Sequence, residues 1–155
     1  MSKSIHLDIP VSWQFVRSVK KMVEESLAEV AEPVRYAAGM VASELVGNAI
    51  KYGEATAAAP YATLRLEVTE HCIVIVVANG VKSPERAQQV QRRIEQMTQS
   101  QDKEGFYLNR LQELLSGSTH GSQLGLYRIG YEGEFELSYT FAEQVLTVRA
   151  TRGLP

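Results

Sequence analysis

Residues 5–9 alternate Ile5, Leu7 and Ile9 with His6 and Asp8, the period of a strand, and Pro10 closes it. Val11, Phe15, Val16, Val19, Met22, Val23, Leu27 and Val30 then recur at helical spacing. Arg17, Lys20, Lys21, Glu24 and Glu25 fall on the opposite side of that helix. Pro33 suits the first turn of a second helix, predicted to run over residues 33–52 and to stop at Gly53. Between Arg35 and Lys51 this helix carries a single charge, Glu44, which predicts a buried helix. Gly39, Ser43 and Gly47, four apart, predict close approach of a neighbouring element.

An alanine-rich loop leads past Pro60 to Leu64, Leu66 and Val68, which alternate with polar residues. Residues 72–78 form a continuous apolar run, the pattern of a central strand covered on both faces. Thr69, Glu70 and His71 predict the turn between these strands. Ala87, Val90, Ile94 and Met97 make a narrow apolar seam on a charged helix, and residues 107–115 predict another. Phe135, Leu137, Tyr139 and Phe141, then Leu146, Val148 and Ala150, read as an antiparallel pair joined at Ala142, Glu143 and Gln144. Paired strands with helices in blocks, and no βαβ alternation, predict an α+β two-layer sandwich.

Composition narrows this picture. With 155 residues the chain suits one domain, and 45% hydrophobic residues suffice for a core. A net charge of -2 lacks the basic footprint of a nucleic-acid binder. The one cysteine, Cys72, has no internal partner and lies in an apolar strand, where an inert thiol is expected. The first residues carry no apolar leader segment, and no apolar run approaches the roughly 18 residues of a membrane span. The expectation is a cytoplasmic protein without membrane or nucleic-acid partners.

The chemical oddity is Glu44 with Asn48 on the apolar second helix. Four residues apart, they share a face, with Lys51 nearly in line. Burying a carboxylate and an amide is costly unless both find partners. One reading is an internal polar network or a cap for a neighbouring helix. The other is a site, with an acid to polarise a hydroxyl and an amide oxygen to hold a metal.

The run Glu44-Leu45-Val46-Gly47-Asn48-Ala49-Ile50-Lys51-Tyr52-Gly53, after residues 5–10 and Phe15-Val16-Arg17, resembles the N box of the GHKL superfamily of histidine-kinase-like ATPases. Among its branches the chain is most similar to the anti-sigma-factor serine kinases of bacterial partner switching. The resemblance covers nearly the whole chain as a single domain. It implies a Bergerat-type sandwich, a mixed and mainly antiparallel sheet with helices on one face. It also implies ATP and Mg2+ as cofactors, Glu44 as the catalytic base or polariser, and Asn48 as the metal-holding residue, with Lys51 beside the nucleotide.

The family's second motif, aspartate-x-glycine-x-glycine after a central strand, is met only at Gly80. Ala78 occupies the aspartate position and Lys82 that of the second glycine, while Asn79 could supply the adenine acceptor in a shifted register. The third, glycine-rich motif is resembled by Gly121-Ser122-Gln123-Leu124-Gly125-Leu126, which assigns Gly121, Leu124 and Gly125 to the phosphates. Residues 82–119 form a lid-like helical insert, a layout similar to the Sia-type partner-switching kinases. The family implies phosphorylation of Ser or Thr on a regulatory partner, a sigma factor or sigma-antagonist-like protein, and leaves a homodimer open. Ala78, Lys82 and Gln123 motivate a second expectation, an inactive pseudo-kinase that binds a partner without nucleotide. His6, His71 and His120 are scattered without metal spacing, and Lys82, Arg86, Arg92 and Arg93 are expected to form one solvated helix face.

Overall fold

The computed structural model describes residues 2–9, 13–99, 105, 108 and 134–155. Strand β1 (Lys3–Ile9) leads into helices α1 (Trp13–Ser26) and α2 (Glu32–Tyr52). The hairpin of β2 (Ala62–Val68) and β3 (Cys72–Gly80) follows, then α3 (Pro84–Gln99) and a second hairpin, β4 (Glu136–Ala142) with β5 (Val145–Gly153). The five strands lie in the order β1-β2-β3-β5-β4, and every pairing is antiparallel. Among the described residues the sheet is thus antiparallel throughout, where a mixed and mainly antiparallel sheet was expected. Both hairpins join sequence neighbours, and β1 and β5 also meet β2 and β3 in the antiparallel sense.

One face of the sheet carries the core. Leu64 and Leu66 of β2, Ile73, Ile75 and Val77 of β3, and Leu146, Val148 and Ala150 of β5 alternate onto it and are buried. α2 brings Val34, Ala38, Val41, Ala42, Leu45, Val46 and Ala49 to the same core, and α1 adds Val19, Val23 and Leu27. The close approach predicted for the small-residue stripe occurs at Gly39. A Cβ there would stand 3.0 Å from Glu24 Cγ and 3.2 Å from Lys20 Cγ, so the α1 stems lie directly on α2. Ala87 and Ile94 seat α3 on the same core.

The other face of β3 has no helix over it among the described residues, which amends the expectation of cover on both faces. Val74 is buried there while Val76 and Ala78 are half-buried, because a central strand is flanked by side chains from β2 and β5. The turn between β2 and β3 is held by Thr69, whose Oγ1 accepts the N–H groups of His71 and Cys72 at 3.1 Å each. Glu143 and Gln144 close the last hairpin with φ of 54° and 61°. Left-handed backbone at both positions is what a tight two-residue hairpin turn demands. Of the helix expected over residues 107–115, only Leu108 is described, and it is helical.

Candidate functional site

A groove opens between α2, α3 and the core face of the sheet. Leu45, Asn48 and Ala49 line it from α2, and Val77 and Asn79 from β3. Arg86, Val90 and Arg93 close it from α3, and Leu146 and Val148 floor it from β5. Its walls are apolar apart from two amides and two guanidinium groups, the composition of an orienting small-ligand site. The enclosed space is about 40 Å³, well short of the roughly 300–1,000 Å³ of typical ligand pockets.

Strand parity decides which residue faces this groove. Ile73, Ile75, Val77 and Asn79 share the helix-covered face of β3, and Asn79 stands opposite Leu146. Ala78 lies on the other face, between Thr63 and Thr147. The position the family motif assigns to Ala78 thus points away from the helices, and Asn79 supplies the polar group at the strand end.

Asn79 is 8% exposed. Its Nδ2 donates to the Gly80 carbonyl at 3.1 Å. A carbonyl only accepts, so the nitrogen of the amide must face it. Oδ1 is then left without a hydrogen bond among the described residues. A buried acceptor without a donor costs about 1–3 kcal/mol, and a ligand N–H group would remove that cost. Asn48, half-buried on the opposite wall, also makes no side-chain hydrogen bond among the described residues.

The other sequence-assigned residues separate. Glu44 is half-buried one turn before Asn48 and is not part of the groove lining. Lys51 is exposed in the last turn of α2, where a cation complements the helix dipole. Gly80 is not part of the groove lining either. A Cβ there would stand 2.2 Å from the Glu54 carbonyl oxygen and 2.8 Å from Thr56 Oγ1, so glycine is required by the loop that follows α2. Gly53 ends α2 in extended backbone (φ −72°, ψ 152°), its N–H donating to Ala49 O at 2.9 Å. The left-handed conformation common after helices is absent there. Gly121, Leu124 and Gly125 lie outside the described residues.

Two contributors were not legible as site residues. Arg86 and Arg93 were expected on a solvated face with Lys82 and Arg92; Lys82, Arg86 and Arg92 are exposed and Arg93 is half-buried, and Arg86 and Arg93 also line the groove on either side of Val90. Their seven-residue spacing beside the Ala87, Val90, Ile94 seam was the available signal. Glu54 organises this end of α3: its Oε1 accepts the Lys82 N–H at 3.2 Å and lies 3.7 Å from the Arg86 guanidinium. Further along α3, Glu95 accepts a hydrogen bond from Tyr139 of β4, which pushes the Tyr139 phenol above its usual range.

What fold and groove define together is an α+β sandwich with an open antiparallel sheet and a polar-tipped cleft under α3. Compared with protein-family models and with curated proteins, the sequence returns no match. Among the described residues, no helix is long and apolar enough to cross a membrane.

Proposed function

We propose that the chain is a bacterial regulatory module of GHKL type that binds Mg-ATP in this groove and phosphorylates Ser or Thr of a partner protein. The observation that carries the reading is the pair of amides, Asn48 and Asn79, lining one apolar groove, with the Asn79 Oδ1 and the Asn48 side chain left without hydrogen bonds among the described residues. The orphaned Oδ1 of Asn79 fits the exocyclic amino group of adenine, and the surrounding Leu45, Val77, Leu146 and Val148 fit its ring. Asn48 offers a neutral oxygen of the kind magnesium accepts.

The nucleotide supplies the transferable phosphoryl group when bound. Glu44, one turn from Asn48, orients and polarises the partner's hydroxyl, and Arg86 and Arg93 offset phosphate charge at the mouth. Lys51, at the end of α2, adds positive charge on that side. Such sites act mainly by positioning and charge stabilisation.

A second reading has its own support. The groove encloses only about 40 Å³, and α3 is tied down by the Arg86–Glu54 and Tyr139–Glu95 contacts. A pseudo-kinase that keeps the sandwich and binds its partner without nucleotide would carry such a filled groove. Calorimetry with Mg-ATP and Mg-ADP separates the two. The kinase reading expects binding that Asn48→Ala weakens about tenfold or more, the effect of losing about 1.4 kcal/mol. No heat at millimolar nucleotide would sink it and leave the pseudo-kinase.

A further inference from the structure

A second cavity, of about 340 Å³, opens where α2 ends, between the loop that follows it and the adjoining ends of β1, β2 and β3. It shares only Ala49 and Asn79 with the groove, and no described residue of α3 lines it. Unlike the groove, it reaches the roughly 300–1,000 Å³ of small-molecule sites.

Small residues keep this space open. Ala49, Gly53, Ala55, Ala59, Ala62 and Gly80 line it, where larger side chains would fill it. Both glycines are fixed by the backbone around them. A Cβ on Gly53 would stand 2.3 Å from the Ala49 carbonyl oxygen, and one on Gly80 2.2 Å from that of Glu54. The alanine-rich stretch after α2 thus forms the wall of a cavity.

Asn79 is the buried polar side chain on that wall. A carboxamide has two N–H donors and an oxygen with two lone pairs. One donor is taken by the Gly80 carbonyl. The second N–H and Oδ1 make no hydrogen bond among the described residues. The amide nitrogen stands on the cavity side, 3.2 Å from where a Cβ on Gly53 would lie. A buried amide with most of its hydrogen-bonding capacity empty favours a ligand that fills it.

Charge narrows the ligand. The one charged side chain on the wall is Glu54, whose Oε1 accepts the Lys82 N–H and faces Arg86. No described cation lines the cavity, so a phosphate or carboxylate entering it would lose water without gaining a partner. Tyr61, 67% exposed, offers a ring on which a flat ligand can stack.

We propose that this cavity binds a neutral, flat ring compound with an amide-like edge, an acceptor beside an N–H donor. That edge pairs with the Asn79 carboxamide, and the ring packs along Tyr61. Neither phosphate nor magnesium is needed, so the site stands apart from the nucleotide reading.

Nicotinamide, a ring bearing a carboxamide, is the probe. Nicotinate, the same ring bearing a carboxylate, is the control. Titrated into the full chain, nicotinamide should shift the backbone amide NMR signals of Gly53, Ala55 and Gly80 and saturate at millimolar concentration. Nicotinate should bind at least roughly tenfold more weakly, the effect of about 1.4 kcal/mol. Ala55→Leu adds bulk at an exposed position on the rim. It should weaken nicotinamide binding by a similar factor with the urea midpoint unchanged. Should that variant fail to fold, Tyr61→Ala, which removes the stacking ring, should weaken binding in the same direction. Calorimetry with Mg-ATP is a separate measurement, so failure of the nucleotide reading leaves the nicotinamide result to decide this site. No saturable shift at millimolar nicotinamide overturns the inference. So does equal binding of nicotinate, or binding that survives both substitutions.

Discussion

The Glu54 N–H donates to the Gly80 carbonyl at 2.7 Å, and a Cβ on Gly80 would stand 2.2 Å from the Glu54 carbonyl oxygen. The end of β3 and the loop after α2 are thus locked backbone to backbone, and the lock positions Asn79 beside Gly53. Gly80→Ala should lower stability by about 1–3 kcal/mol, the usual cost of forcing atoms into a packed site. A drop in the urea midpoint without a change in slope would show it. An unchanged midpoint would mean that the glycine answers to something other than this loop.

Asn79 makes a sharper case, because its amide nitrogen serves the Gly80 carbonyl. Asn79→Asp replaces that donor with an acceptor and sets a carboxylate against a carbonyl oxygen in a buried site. The variant should be less stable than wild type at neutral pH by about 1–3 kcal/mol. Repulsion and burial raise the folded-state carboxyl above its unfolded value, so the folded chain holds its proton longer. The deficit is therefore absent at low pH, where the protonated carboxyl donates to Gly80, and grows as pH rises. Urea midpoints of variant and wild type at pH 4 and pH 7 should converge at the lower value.

Tyr139 ties β4 to α3 by donating to Glu95, and the hydrogen bond raises the phenol's pKa above its ordinary value. The sign follows from linkage. The contribution is complete below the unfolded tyrosine pKa, about 10, and is lost as pH rises through the higher folded value. Wild-type stability should fall above about pH 10, and Tyr139→Phe should reduce that fall. Tyr36, raised chiefly by its hydrogen bond to Glu32, keeps a share of the alkaline dependence in the variant. Thermal melts of both proteins at neutral and alkaline pH measure the difference.

Periodicity placed every described strand and helix within a few residues, because each buries one stripe of side chains against a single core. Pro33 and Pro84 both fall in the first turns of their helices. The same logic did not show that Arg86 and Arg93 also line the groove. A charge run beside an apolar seam looks like a solvated face until the neighbouring wall is known, and that wall is α2 with β3. At Gly80 a close backbone approach, set by a loop from elsewhere in the chain, explains the missing side chain.

From sequence alone followed the two-layer class, the buried character of α2 and the shared face of Glu44 and Asn48. These are local, since hydrophobic spacing and side-chain direction are properties of one element at a time. Tertiary structure decided that Asn79 rather than Ala78 faces the groove, that Glu44 and Lys51 stand outside its lining, and that β1 is an edge strand of the sheet among the described residues. Each depends on strand register and order, on which residue of one strand meets which of another. That pairing is a property of the assembled sheet, and no single segment encodes it.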